Sequence, residues 1–221
     1  MAAKIHGMPI SQTSLGPALF AEYCKYGKLE MCNITEGATK TEAFVKLNPY
    51  AKVPTLEEEG FSMGESAAIL RYMALKSGAD CYPVTKPQLC ARIDFAMDAF
   101  GYEVYKVHTP IVYHVMGFQA PTPADAIPAA AEAYAAAASK WLATFVGAGP
   151  FVGGEALSIA DFKAVPFLYA GVLCGDVLEG FTMPDEVKAY CERFIAAVPC
   201  AAMLNEYGGY SLKEYILSKK A

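Results

Sequence analysis

The sequence predicts a small mixed α/β unit followed by an all-α unit, and three observations carry that expectation. Segments of strand and helix character alternate over the first third of the chain. From Gly78 to Pro87 the run is broken by Asp80, Pro83 and Pro87. Beyond it every long segment reads as helix. The expected division is residues 1–78 for the first domain and 88–221 for the second, with 79–87 as linker.

The elements follow in order. Lys4 to His6 is a short strand, and Pro17 to Tyr26 a helix carrying Ala18, Leu19, Phe20 and Tyr23, with Pro17 suited to its first turn. Leu29 to Ile34 is apolar enough for a buried strand, and Thr41 to Leu47 is a short helix closed by Asn48-Pro49. Thr55–Glu58 and Phe61–Met63 flank Gly60 as a hairpin. Ser66 to Leu75 carries Ile69, Leu70, Tyr72 and Met73 at helical spacing and stops at Ser77-Gly78. Further helices are expected over Leu89 to Val107, over the alanine-rich Ala124 to Val146, after Leu157, and through Glu186 to Ala197. Ser158-Ile159-Ala160-Asp161 is a capping box, a folding signal rather than a site.

Composition excludes several function classes. The 221 residues are 54% hydrophobic and 19% charged with slightly positive mean hydropathy, which rules out a disordered chain. A net charge of −5 and the lack of a Lys/Arg cluster argue against nucleic acid as a partner. The most apolar uninterrupted run, Ala164 to Gly175, is closed by Lys163 and Asp176 and falls short of the roughly 20 residues a bilayer needs. Met1 to Gly7 has no apolar signal core and Ser218 to Ala221 is no anchor, so a soluble protein without a membrane partner is expected. The seven cysteines are odd in number and none forms a Cys-x-x-Cys pair, which points to reduced thiols in a cytoplasmic setting. His108 and His114, six apart, do not share a helix face and no cysteine pair complements them. No metal site is expected.

One stretch is far more specific than the rest: Leu47-Asn48-Pro49-Tyr50-Ala51-Lys52-Val53-Pro54-Thr55-Leu56, then Gly64-Glu65-Ser66-Ala67-Ala68-Ile69-Leu70-Arg71-Tyr72. It resembles the glutathione-binding half of the cytosolic glutathione S-transferases, whose N-terminal domain is thioredoxin-like. The resemblance spans about the first eighty residues and implies that glutathione is a cosubstrate, with no tightly bound cofactor. It implies a cis Val53–Pro54 bond that frees the backbone of Val53 to pair with a peptide ligand; proline itself cannot donate to a strand ladder. Glu65-Ser66 lies where a strand gives way to a helix, whose first amides suit a carboxylate. Ser66 can cap that helix and donate to the γ-glutamyl carboxylate, while Glu65 accepts from the ammonium. By the same resemblance Lys40 and Lys52 face the glycyl carboxylate; Thr39 stands where the family often has histidine, which weakens that end.

The loop Met8-Pro9-Ile10-Ser11-Gln12-Thr13-Ser14 is similar to that of the serine-type theta and phi classes. Ser11 is the candidate catalytic residue, with Ser14 and Thr13 as alternatives. No tyrosine or cysteine occupies the loop, which disfavours tyrosine-type, omega-like and dehydroascorbate-reducing chemistry. The family's arginine in the next helix is replaced by Leu15-Gly16-Pro17. Tyr102, Tyr105, Tyr113 and Phe118, with Met8 and Met116, are candidates for an apolar second-substrate site. The resemblance implies a homodimeric transferase active in detoxification, conjugating glutathione to hydrophobic electrophiles and also reducing organic hydroperoxides. The competing reading is a non-catalytic interaction module of the same fold.

Overall fold

The computed structural model describes residues 2–207 and 209–219; Met1, Gly208, Lys220 and Ala221, and with them the outer ends of both terminal segments read above, lie outside the described residues. The N-terminal domain runs β1 (Ala3–Gly7), α1 (Gln12–Tyr23), β2 (Gly27–Met31), α2 (Glu42–Leu47), β3 (Thr55–Glu58), β4 (Phe61–Met63) and α3 (Ser66–Ser77). Its sheet has the order β2-β1-β3-β4, with β1 parallel to β2 and antiparallel to β3. Leu29, Ile5, Leu56 and Met63 stand side by side across it, an apolar row on one face. This is the expected thioredoxin-like arrangement.

The C-terminal domain is helical. One long helical rod holds α4 (Pro87–Ala99), α5 (Tyr105–His108) and α6 (His114–Met116), joined by π-helical turns at Phe100–Val104 and Thr109–Tyr113. Then come α7 (Ile127–Phe145), α8 (Ile159–Cys174), α9 (Asp185–Ala197), the two-residue strands β5 (Glu206–Tyr207) and β6 (Tyr210–Ser211), and α10 (Leu212–Leu217). The second π turn has a visible cause. Pro110 lacks the amide that would bond the carbonyl of Lys106, and the Thr109 hydroxyl reaches that oxygen at 3.4 Å instead. The rod continues past the expected end at Val107 and stops at Gly117, whose φ of 73° is a left-handed conformation glycine adopts freely.

The expected helix over 17–26 is displaced: it starts at Gln12 and ends at Tyr23, so Pro17 sits inside it rather than in its first turn. The reason is burial. Leu15 through Ala21 are all buried, because α1 is pressed between the sheet, α3 and α8 and has no polar face to set a period. Gly16 marks the tightest point: a Cβ there would lie 2.6 Å from the carbonyl oxygen of Phe162 in α8. The strand expected over 29–34 likewise runs earlier, at 27–31. Five of the seven cysteines are buried and the other two half-buried. No helix among the described residues is long and apolar enough to cross a membrane.

Asp161 anchors α8. One carboxylate oxygen accepts from the Ser158 amide and hydroxyl at 2.7 Å each; the other accepts from the Tyr190 hydroxyl at 2.6 Å and the Val152 amide at 3.0 Å. The capping box thus also ties in the preceding loop and α9. Replacing Asp161 with Ala strands several buried donors, each costing about 1–3 kcal/mol. We expect Asp161→Ala to destabilise the fold by about 3 kcal/mol or more in urea unfolding.

Candidate functional site

Between the sheet end of the N-terminal domain and the α4–α6 rod lies a cleft of about 1000 Å³. Its N-terminal wall holds Ser11, Thr13, Lys52, Val53, Glu65 and Ser66, residues of three separate sequence motifs. Lys40 is exposed and is not among the lining residues; its neighbour Thr39, buried, takes that place.

Ser11 occupies the N-cap position of α1, yet its side chain makes no capping bond. Its hydroxyl instead lies 2.8 Å from that of Thr13, which donates a long 3.5 Å bond to the carbonyl of Val53. Ser14, the other alternative, is turned away: it is fully buried against Gly7 and its hydroxyl has no hydrogen-bond partner. The Val53–Pro54 bond is cis. Asn48 braces this turn, donating to the Lys52 carbonyl at 3.0 Å and the Thr55 hydroxyl at 2.9 Å and accepting from the Tyr50 amide at 3.0 Å. Gly64 passes so close that a Cβ would sit 2.9 Å from the Asn48 amide nitrogen, so β4 and the 48–54 turn are locked together.

Glu65 has φ +65° and ψ 110°, a conformation that costs a non-glycine residue on the order of 1–3 kcal/mol. That kink brings the start of α3 to the cleft. The cap position falls on Glu65, not on Ser66, and no side chain caps the helix. Ser66 is the first helical residue, so its hydroxyl is not spent on capping as expected from the sequence. It accepts instead from the ammonium of Lys163 in α8, at 3.1 Å. Burial pulls the Lys163 pKa down to about 8, partly offset by the Glu65 carboxylate. Lys163 lines the cleft, and the sequence offered one signal for it: a lone cation opening an otherwise apolar run.

The opposite wall is aromatic. Tyr102, Tyr105, Tyr113, Phe118 and Phe167 line it, with the hydroxyls of Tyr105 and Tyr113 3.3 Å apart. Burial and the Tyr105 neighbour hold the Tyr113 phenol well above its ordinary pKa, so Tyr113 keeps its proton at neutral pH. Met8 and Met116, expected here, are core residues, and Met116 takes a hydrogen bond from the buried Gln12 amide. Among the described residues no group of three His, Cys, Asp or Glu side chains is placed to hold a metal ion.

Comparisons with known proteins point to one family. The family model "Glutathione S-transferase, N-terminal domain" matches residues 24–76. Glutathione S-transferase hmp2 of Hypomyces subiculosus is 35% identical over 85 residues, 38% of this chain and 40% of its own length. Glutathione S-transferase theta-2 of Homo sapiens is 27% identical over 205 residues, 86% of this chain and 81% of its own. A human theta-class glutathione transferase, solved in complex with the glutathione conjugate of 1-menaphthyl sulfate, superposes with a TM-score of 0.81 at 25% identity, covering 99% of this chain and 88% of that one.

Behind the aromatic wall His108 is fully buried among Tyr105, Tyr113, Tyr134 and Phe167, with ring centroids 5.2–6.0 Å away. Neither ring nitrogen has a hydrogen-bond partner, and burial pushes its pKa down to about 3. In the unfolded chain it titrates near ~6.5. Below that pH the unfolded state takes a proton the folded state refuses, so stability falls as pH drops from there toward about 3. We expect urea unfolding to show a loss approaching ~1.4 kcal/mol per pH unit in that window, and His108→Leu to remove this part of the slope.

Proposed function

The chain belongs to the cytosolic glutathione S-transferase family, and we propose that it activates the glutathione thiol through Ser11 and delivers the thiolate to the electrophilic centre of a hydrophobic substrate, with organic hydroperoxides as a second acceptor class. The observation that carries this reading is the convergence of Ser11, Val53-Pro54 and Glu65-Ser66 on one cleft whose far wall is aromatic. Ser66 and Glu65 would hold the γ-glutamyl end, Val53 the cysteinyl backbone and Lys52 the glycyl carboxylate. Lys40 would reach that carboxylate only from the rim. No metal or second cofactor is required by this scheme, and the buried thiols suit a reducing, cytoplasmic setting. The division into an N-terminal domain of 1–78 and a helical domain of 88–221, read from the broken run between them, is supported by helices that end at Ser77 and resume at Pro87, one residue inside the expected linker.

The energetics suffice without a general base. A free thiol of pKa ~8.5 is only a few per cent ionised at pH 7. Lowering it by ~2 units takes about 2.7 kcal/mol of preference for the anion. A hydroxyl donating to a charged atom contributes about 1.5–3 kcal/mol, and a helix N-terminus up to ~1 more. Each hydroxyl has one proton. When Ser11 donates to sulfur, Thr13 can turn its proton from the Val53 carbonyl to Ser11 Oγ, which frees that carbonyl for the ligand's amide.

Ser11→Ala should leave glutathione affinity nearly intact while raising the pKa of the bound thiol and lowering turnover, because the lost bond is to the reactive anion. Thr13→Val should shift the same titration by less. Thiolate absorbance of the binary complex reads both; retention on immobilised glutathione with no lowering of the thiol pKa would identify a binding module instead.

A homodimer is the proposed assembly. Tyr50 and Phe95, 81% and 62% exposed, leave large apolar side chains for a second copy to cover. Sedimentation at micromolar concentration should give twice the chain mass, and a monomer would refute the assembly.

A further inference from the structure

Apart from Asp161, Lys163 is the only charged residue of α8, and it points across to the other domain. It follows Phe162, whose carbonyl is seated against Gly16, so its backbone is fixed relative to α1. The bond from its Nζ to Ser66 Oγ joins residues 97 apart in the chain. A hydroxyl that accepts from an ammonium must aim its own proton elsewhere, and Ser66 lines the cleft. Three charged groups face this ammonium: Glu65 in the kink before α3, Arg71 on α3 and Asp98 on α4. Arg71 is already paired with Asp94 at 2.6 Å and with Asp98 at 3.4 Å, while Glu65 is exposed. Lys163 is therefore a largely desolvated cation whose hydrogen-bond partner is a neutral hydroxyl, an arrangement that a carboxylate completes.

We propose that Lys163 is a specificity-determining residue of the cleft: its ammonium, together with the Ser66 hydroxyl, binds the α-carboxylate of the γ-glutamyl group and rejects ligands that lack it. The inference rests on the glutathione reading above and adds to it a residue from the helical domain. Since Lys163 loses its proton near pH 8, the preference for the carboxylate weakens as pH rises through that value.

Calorimetry on the full chain with two probes tests this. One is S-methylglutathione; the other is the same molecule with its γ-glutamyl group replaced by 4-aminobutyryl, which removes only the α-carboxylate. The wild type should prefer the first by about ten- to a hundredfold. Lys163→Met should lose most of that preference and Lys163→Arg retain it. From about pH 7 to 9 the preference should shrink more in the wild type than in Lys163→Arg, which sees the same ligand titrations but keeps its charge. Binding of neither probe by the wild type would overturn the glutathione reading itself. Binding with an undiminished preference in Lys163→Met, or with the same pH course in wild type and Lys163→Arg, would overturn the role of Lys163 alone. Should Lys163→Met fail to fold, the pH comparison decides by itself.

Discussion

Two helices that touch backbone to backbone at one point hold this protein in shape. At Gly16 the backbone of α1 meets the backbone of α8 at Phe162, and nothing larger than hydrogen fits. Both helices are buried nearly all round, and the contact joins the α/β domain to the helical domain through main chain at Gly16 and through Phe20 and Tyr23 packed on Phe162. The cleft depends on that rigidity. Ser11 stands at the start of one helix and Lys163 in the first turns of the other, so the distance between them is set by the backbone. Asp161, with four donors converging on its carboxylate, keeps the second helix from sliding.

The cleft divides its labour by wall. The N-terminal wall presents hydroxyls, backbone groups and charges, whereas the rod presents rings, with the Tyr113 phenol kept protonated by burial. On the proposed reading, a peptide ligand fixed on one side would leave its thiolate facing the aromatic wall, where it would be less hydrated and so more nucleophilic. Asn48 and Gly64 matter to this division although neither carries chemistry: their close approach holds the Lys52–Pro54 turn in place.

What was legible in the sequence was local. The hairpin at 55–63 follows from acidic residues and Gly60 flanked by two short segments, and α3 from its spacing and the Ser77-Gly78 stop; Gly78 is indeed the left-handed cap. Motif residues 11, 52–54 and 65–66 lie in separate segments, and only the family resemblance linked them before the fold did. The misplaced features share one cause, which is tertiary contact overriding local pattern. Helix α1 shows no amphipathic period because neighbours surround it. Pro17 looks like a helix start because nothing nearby in sequence says that its missing amide is tolerated. Met8 and Met116 are apolar and close to the site in sequence or register, but packing took them into the core. Lys163 was the least legible, since its importance comes from Ser66, which is remote in the chain.

The π turns of the α4–α6 rod carry a consequence for how such a cleft diversifies. In an α-helix each residue advances the azimuth by about 100°, so a one-residue insertion or deletion swings every later side chain to a different bearing. Tyr105 and Tyr113 owe their bearing to the turns at 100–104 and 109–113, and among the described residues no backbone hydrogen bond joins either turn to the sheet. A single-codon length change in this rod would therefore redraw the aromatic wall of the cleft while the N-terminal wall stayed as it is. Length, as much as side-chain identity, is then an inherited variable by which one scaffold acquires new chemistry.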